Sequence, residues 1–339
     1  MSKDEKSRFR WPVIGHSNII SFLQQELQKG QIAHAYLFVG PDNIGKTAVA
    51  NFLANSLVCR HLNNQEEFVP CGRCECCQQI NNQIHPDVYW LRRQTGDSGK
   101  LNKNISVDQT RELMEKLSLC SFLNTYKVAI IESAQTLNNA SANSLLKTLE
   151  EPAPQTVLIL LANNISDLPS TIASRCQVIK FLPVSQPVIE NHLIELGCER
   201  KKAKKISALS FGRPGLAIKY FLEPEVYEEL KEKNKILISL MRGSLDEKFK
   251  IMNEVADSDL DNIKIELSLW KRFLRDLALV GCLEGLVSNQ SFLSELKDLS
   301  QLYQPKKIIS LIFEIDNARR FLDANANPKL TLENLALNF

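Results

Sequence analysis

This chain of 339 residues has no long apolar run and little net charge, and each of these two features excludes a class of protein. No run reaches 18 consecutive apolar residues, so the sequence predicts no membrane-spanning helix. The first residues, Met1 to Lys6, mix acids with bases and lack an apolar core, which is not the pattern of a signal peptide. A net charge of only +2 excludes a strongly basic nucleic-acid-binding protein, although it leaves room for a local basic patch.

Cysteine is the residue type whose use is most informative in the rest of the composition. Hydrophobic residues make up 44% of the chain and charged residues 24%, as in ordinary globular proteins, and the length predicts two or three domains. Nine cysteines without a secretion signal indicate a reducing compartment, where clustered cysteines bind metal more often than they form disulfides. We therefore expect a cytoplasmic protein.

The segment Gly40 to Thr47 has the pattern G-x-x-x-x-G-K-T, between an apolar run typical of a strand and a run of helical spacing. Gly40 and Gly45 let backbone N–H groups curl around an anion, and the following helix N-terminus adds partial positive charge. Lys46 is expected to reach the β- and γ-phosphates of ATP, and the Thr47 hydroxyl to bind Mg²⁺. The alternative is an ordinary glycine-containing turn between a strand and a helix.

A cysteine-rich segment follows the helix after this loop. Three of its cysteines are spaced C-x₂-C-x₂-C, and a fourth lies at the end of the preceding helix. Four thiolates without an open position predict a structural, tetrahedral Zn²⁺ site rather than a catalytic one. The predicted ligands are Cys59, Cys71, Cys74 and Cys77. Cys76 could replace Cys77, and His61 could replace Cys59; the alternative to a metal site is a set of reduced thiols without a ligand.

Strands alternate with helices over residues 35–181, and most of the strands are continuously apolar, which predicts a parallel sheet covered by helices on both sides. One of these strands ends at Glu132, where phosphate-loop ATPases carry the acid that holds the Mg²⁺ shell. Asn163 ends the next strand and would face the γ-phosphate. Ser133 stands where many such ATPases have a glutamate; because serine cannot act as a general base at neutral pH, this weakens the case for hydrolysis.

After the last strand the sequence has helical patterns alone. We predict three domains: residues 1–182, a nucleotide-binding-type α/β domain with the zinc knuckle at 59–77; residues 183–222, a small helical domain; and residues 223–339, a C-terminal helical domain. The last region contains no cofactor motif, which favours a role in assembly.

The order of these features resembles the AAA+ family and, more narrowly, the bacterial clamp-loader subunits. The resemblance covers nearly the whole chain. It rests on the loop at Gly40–Thr47, the cysteine insert, His85-Pro86-Asp87, the string L-L-K-T-L-E-E-P that ends at Pro152, and Ser174-Arg175-Cys176. It implies an AAA+ phosphate-loop domain, a small helical lid domain and a C-terminal helical collar domain that serves oligomerisation.

The same resemblance implies partners and a role in replication. Clamp-loader subunits of this layout assemble with motor (gamma/tau) and delta subunits of DNA polymerase III in a five-membered ring that places the sliding clamp on primed DNA. In such a ring Arg175 would be an arginine finger, inserted into the ATP site of a neighbouring motor subunit; the alternative is a local salt bridge. Motor subunits carry Asp-Glu where this chain has Glu132-Ser133, and an arginine in the small helical domain where this chain has Gly215.

We therefore expect a non-motor subunit, part of a nucleotidyltransferase complex, with weak or absent ATPase and no polymerase active site. The alternatives are an ATP-hydrolysing gamma/tau-type motor subunit and a stand-alone phosphate-loop nucleotide kinase. The kinase would need a lid rich in arginines, which residues 184–222 do not offer. A module that reads DNA sequence directly is disfavoured by the charge, and DNA contacts in the ring should be to the backbone.

Overall fold

A computed structural model of the chain describes residues 11–62, 68–96, 101–122 and 125–339. The chain divides into two compact units: the first comprises Met1–Ile189 and Gly212–Leu216, and the second Glu190–Phe211 and Ala217–Phe339. Because residues 190–211 belong to the second unit and residues 212–216 to the first, the chain passes between the units three times. Each unit has its own core and is described by itself.

The strands and helices of the described residues are numbered in chain order. The strands are β1 (Ala35–Val39), β2 (Val88–Leu91), β3 (Lys127–Ile131), β4 (Thr156–Ala162) and β5 (Gln177–Lys180). The helices up to the end of the sheet are α1 (Ser17–Lys29), α2 (Lys46–Val58), α3 (Glu75–Asn81), α4 (Val107–Ser118), α5 (Asn139–Glu150) and α6 (Ser170–Ala173). The later helices are α7 (Gln186–Glu195), α8 (Arg200–Leu209), α9 (Pro214–Leu222), α10 (Pro224–Arg242), α11 (Leu245–Ala256), α12 (Leu260–Val280), α13 (Leu293–Leu302), α14 (Pro305–Asp323) and α15 (Pro328–Ala336).

The first unit is built on a five-stranded sheet in the order β2-β3-β4-β1-β5, with every neighbouring pair parallel. Every residue of β1, β3 and β4 is buried. Alternate residues of β1 enter two different apolar clusters, since Tyr36 and Phe38 join one and Leu37 and Val39 the other. Both faces of the sheet are therefore covered, and the predicted parallel α/β sheet is confirmed.

Local sequence fixes the helices that carry the site. The Asn138 side chain caps α5 by accepting a hydrogen bond from the Ser141 N–H at 2.8 Å, and α5 ends at Glu150, two residues before Pro152. α4 begins at a capping box in which Ser106 and Gln109 bond each other's backbone N–H groups. The caps fix where α4 and α5 begin, and Pro152 fixes where α5 ends.

The second unit is helical throughout its described residues. Trp270 and Phe273 on α12 are fully buried at its centre, where helices α10 to α15 contribute to one apolar cluster. The unit groups residues of the predicted lid with those of the predicted collar, so a boundary at residue 222 stays a prediction. Among the described helices, none is both long and apolar enough to cross a membrane.

Candidate functional site

The loop after β1 turns tightly between the strand and α2. The Gly40 N–H donates to the Ala162 carbonyl at 3.2 Å, and a Cβ on Gly40 would lie only 2.7 Å from the Phe181 carbonyl oxygen. The loop then turns through two residues with left-handed backbone, Asn43 at φ 61° and Gly45 at φ 117°, before α2 begins. A glycine is required at the second, where φ is far from what a side chain tolerates.

Lys46 is buried against this loop. Its ammonium group donates to the carbonyl oxygens of Gly40 and, at 3.0 Å, of Pro41, and to Asn163 Oδ1 at 3.3 Å. Asn163 in turn donates through Nδ2 to Asp42 Oδ2 at 3.2 Å. Burial lowers the pKa of Lys46, and the Asp42 carboxylate opposes that shift. The structure thus brings Lys46 and Asn163 together with the glycines of the loop, while Thr47, the second residue of α2, is exposed.

Glu132 makes a different contact. It follows β3, and both its carboxylate oxygens face Arg92, at 2.8 Å from Nε and 3.1 Å from Nη2. The Arg92 guanidinium also stacks 4.9 Å from the centre of the Trp90 ring. Sequence reasoning missed Arg92, whose only signal was a basic residue directly after an apolar run. The two-pronged pair neutralises the acid that a Mg²⁺ shell would use.

Gly215 is packed against the phosphate loop within the first unit. Its N–H donates to the Asn43 carbonyl oxygen at 2.9 Å, and a Cβ added there would lie 2.9 Å from that same oxygen. A larger residue at this position would have to displace the loop. Backbone alone therefore occupies the space beside the loop at this position.

The four predicted zinc ligands converge. Their sulfur atoms all lie within 4.8 Å of one another, with Cys59 and Cys74 Sγ 3.9 Å apart and Cys71 and Cys77 Sγ 4.0 Å apart. Four sulfurs placed tetrahedrally around Zn²⁺ at about 2.3 Å are separated by about 3.8 Å, so the donor set fits the ion. The Cys74 N–H donates to Cys71 Sγ at 3.2 Å, which supports a thiolate there.

The surroundings of the sulfur atoms distinguish the four predicted ligands from Cys76 and His61. At Cys71, burial raises the pKa, but N–H groups of Arg73 and Cys74 outweigh it and lower the pKa to about 6. Cys76, one residue before Cys77, is buried in the apolar cluster instead. Neither Cys76 nor His61 belongs to the group of converging atoms. The geometry thus favours the set of four over either substitution.

Arg175 lies just after α6 and is tied to its own chain. Its Nη2 is 2.6 Å from Glu150 Oε1, at the end of α5, and its Nη1 donates to the Thr171 carbonyl at 3.0 Å. This is the local salt bridge that the sequence offers as the alternative to a role in trans. Because about a third of the arginine side chain and half of the glutamate remain exposed, the pair is of the kind that contributes about 0–1 kcal/mol. Exchange of Glu150 for another anion would cost little.

The His85-Pro86-Asp87 segment has a structural role. Asp87 is buried and accepts hydrogen bonds from Ser121 Oγ at 3.1 Å and from the Phe122 N–H at 2.8 Å. His85 Nδ1 accepts from the Asp87 N–H at 3.1 Å. The segment precedes β2 and, through Asp87, fixes the turn at Ser121 and Phe122 that leads to β3. This turn lies away from the phosphate loop.

Comparison with known proteins gives a consistent family. The family model described as "DNA polymerase III, delta subunit" matches residues 15–185. The chain is 39% identical over 188 residues to DNA polymerase III subunit delta' of Pseudomonas aeruginosa (55% of each chain) and 32% identical over 202 residues to that of Haemophilus influenzae (59% of each). It is also 35% identical over 177 residues to DNA polymerase III subunit tau of Bacillus subtilis, covering 52% of this chain and 30% of that one.

These alignments span between 30% and 59% of the relatives' own length. Relatives of the delta' and tau kinds match at comparable identity, so identity alone does not separate the two subunit types. The residues of the site therefore have to distinguish a delta'-type chain from a tau-type chain.

Proposed function

We propose, since this chain belongs to the DNA polymerase III delta subunit family, that it is the delta-prime-type subunit of a clamp loader. In this role it assembles in the cytoplasm with gamma/tau motor subunits and a delta subunit in a hetero-pentameric ring. The ring places the sliding clamp on primer-template DNA, and this chain carries no polymerase chemistry of its own.

The contact between Gly215 and the phosphate loop is the observation that carries the choice of delta-prime over gamma/tau. A motor subunit needs a cation from this position to reach the nucleotide, and here a 2.9 Å backbone contact leaves no room for a side chain. Two further features agree with it. Ser133 replaces the general base, and Glu132 is neutralised by Arg92.

The loop remains suited to hold a nucleotide. Gly40, Gly45 and Lys46 would hold the phosphates of ATP, and Thr47 a Mg²⁺ ion, which when bound would screen the phosphate charge. Lys46 would exchange its present oxygen partners for phosphate oxygens. We propose binding with slow or absent hydrolysis, so that the pocket serves the structure of the ring.

Arg175 is proposed to act in trans. A guanidinium placed at a neighbour's γ-phosphate neutralises the charge that develops on the transferred group, an effect of roughly 10³–10⁵ in rate in well-studied cases. The weak pair with Glu150 supports this, since the arginine is already at the surface and needs little free energy to leave it. The four cysteines are proposed to hold a structural Zn²⁺, which when bound would crosslink the segment between α2 and α3.

Reconstitution with gamma/tau and delta subunits tests the proposal. We expect the chain to co-elute with both in size-exclusion chromatography, and clamp loading onto primed DNA to require it. An isolated chain that hydrolyses ATP at the rate of the motor subunit would establish the gamma/tau alternative. Transfer of phosphate from ATP to a nucleoside monophosphate would establish the kinase alternative, and failure to join the ring would reject the proposal outright.

A further inference from the structure

A cleft in the second unit carries charge that the proposed function does not use. The outer faces of α12 and α14 border a cleft of about 450 Å³, which we call the α12–α14 cleft. Its volume lies within the range of small-ligand and peptide side-chain pockets. Four of its six lining residues are cationic; the lining consists of Ser268, Lys271, Arg272, Arg275, Ile312 and Arg319.

Two of the cations are held in place before any ligand arrives. The guanidinium groups of Arg272 and Arg275 lie 5.1 and 5.8 Å from the centre of the Phe211 ring. Arg275 Nη1 also lies 3.1 Å from Asp276 Oδ1. Asp276 is itself fully buried and bonded to the N–H groups of Ser288 and Asn289. Side chains ordered in this way lose less conformational entropy when they bind an anion.

The positive charge of the cleft is only partly cancelled. Lys271 pairs with Asp316 across the two helices at 2.6 Å, and Arg275 pairs with Asp276. Arg319 is half-buried, and no ion pair or hydrogen bond joins its guanidinium to any residue in the described part of the chain. The Arg319 guanidinium, with five donors, is therefore left to bind an anion from outside.

The walls between these cations are apolar. Ile312 lies in the cleft between them, and on the same side of α14 Ile309 and Phe313 are 50% and 60% exposed. An apolar side chain of a ligand can pack here while acidic neighbours on either side reach the guanidinium groups. Such a mixture of apolar and cationic surface matches an acidic amphipathic peptide segment.

The charge of the surrounding helices disfavours nucleic acid. The second unit, residues 190–211 and 217–339, contains 22 Lys and Arg and 23 Asp and Glu, whereas domains that bind the phosphate backbone are basic overall. A single-stranded ligand would also need a track of cations along several nucleotides. The cleft itself offers four lining cations, on α12 and α14, rather than such a track.

We propose that the α12–α14 cleft docks a short acidic segment of a partner protein, whose apolar side chain packs on Ile312 between carboxylates that pair with Arg275 and Arg319. The site belongs to the second unit alone and does not depend on the phosphate loop or on Arg175. It would let this subunit recruit a partner without occupying its nucleotide-binding face.

Fluorescence anisotropy of labelled probes on the full chain tests this. The probes are a twelve-residue peptide with one central Phe among Asp and Glu, the same peptide with Asn and Gln in their place, and a twelve-residue oligo-dT. We expect saturable binding of the acidic peptide alone, weakened about tenfold by Arg319→Gln through loss of a charge-assisted hydrogen bond. Ile312→Ser should weaken it as well.

Arg320→Gln is the matched control, since it removes the same charge from the next, exposed position of α14. It should leave the affinity within about twofold, because a residue outside the cleft contributes only screened charge. Melting temperatures of all variants should match that of the parent chain. Three results would each overturn the proposal. They are an equal loss of affinity with Arg320→Gln, no saturable binding of the acidic peptide, and tighter binding of oligo-dT that depends on Arg319.

Discussion

The buried Asp87 carboxylate stabilises a turn in the first unit. It accepts from Ser121 Oγ and the Phe122 N–H. Asp87→Ala leaves these donors without an acceptor, which should cost about 2–3 kcal/mol. We expect the melting temperature of the first unit to fall by about 5–10 °C.

Asp87→Asn is the control for that substitution, because its amide oxygen still accepts one of the bonds. Its loss should be clearly smaller in the same thermal scan followed by circular dichroism. Equal melting temperatures for Asp87→Ala and the parent chain would show that the turn does not depend on this carboxylate.

Glu266 in the second unit should make stability depend on pH. It is buried on α12, and its Oε1 has no hydrogen-bond partner in the described part of the chain. Burial raises its pKa above the ordinary value of 4.5, while Lys233 opposes the shift. Above pH 4.5 the unfolded chain releases this proton first, so stability is lost as pH rises toward the folded-state pKa.

Glu266→Gln removes this loss, since an amide does not ionise. The variant should gain stability over the parent as pH rises from 4.5 to 7.5, by about 1.4 kcal/mol for each unit by which the pKa is raised. Urea unfolding at several pH values measures the gap, with exposed Glu254→Gln as control. A gap that does not change with pH would contradict this account of Glu266.

The contacts of individual site residues were predictable only where strand order determines them. Asn163 follows β4, and β4 pairs with β1, so its approach to Lys46 followed from the parallel sheet that the sequence predicts. The partner of Glu132 did not follow in this way. Arg92 directly follows the edge strand β2, 40 residues earlier in the chain, and nothing in the local sequence indicates which cation will pair with a surface carboxylate.

At the scale of elements, the segment between α2 and α3 should depend on metal through four cysteines and no others. We expect Cys77→Ser to lose the zinc measured by mass spectrometry of the purified chain, and Cys76→Ser to keep about one equivalent per chain. The two residues are adjacent and both buried, but only Cys77 points its sulfur into the cluster. Equal loss in both variants would mean that Cys76 serves as a ligand.

Chelation should also lower the melting temperature before it reduces clamp loading, since a structural ion contributes folding free energy. The cysteine spacing predicted which four sulfur atoms converge, and that they bind Zn²⁺ stays a prediction. Sequence could not show that α3 begins at Glu75, directly after Cys74, and so places Cys76 and Cys77 on different sides of one helix turn.

The phosphate loop with α2 should hold a nucleotide without fast turnover. The isolated chain should bind ATP with Mg²⁺ measurably and turn it over slowly, and Lys46→Ala should weaken binding about tenfold or more by removing a cation from the phosphates. Lys29→Ala, an exposed lysine at the end of α1, is the control and should leave the affinity unchanged. Calorimetry and phosphate release measure the two properties.

For the whole molecule, sequence reasoning was strongest where apolar runs were long and weakest where segments cross between units. The buried strands and the α12 helix were predictable because each is a continuous or strongly periodic apolar pattern. The return of residues 212–216 to the first unit was not predictable in this way. It is held by backbone hydrogen bonds from Gly215 to Asn43 and from Val184 to Gly212, which leave no periodic signal in the sequence.

The central claim is that this subunit contributes to ATP hydrolysis through Arg175 and not through its own loop. The most direct measurement is DNA-stimulated ATP turnover of the reconstituted clamp loader containing Arg175→Ala. We expect turnover at the neighbouring site to fall at least about tenfold, with no recovery in Arg175→Lys, because an ammonium group lacks the planar fork of a guanidinium. The variant should still co-elute with its partners, and Arg200→Ala should behave as the parent chain. Unchanged turnover in a correctly assembled Arg175→Ala ring would contradict the account.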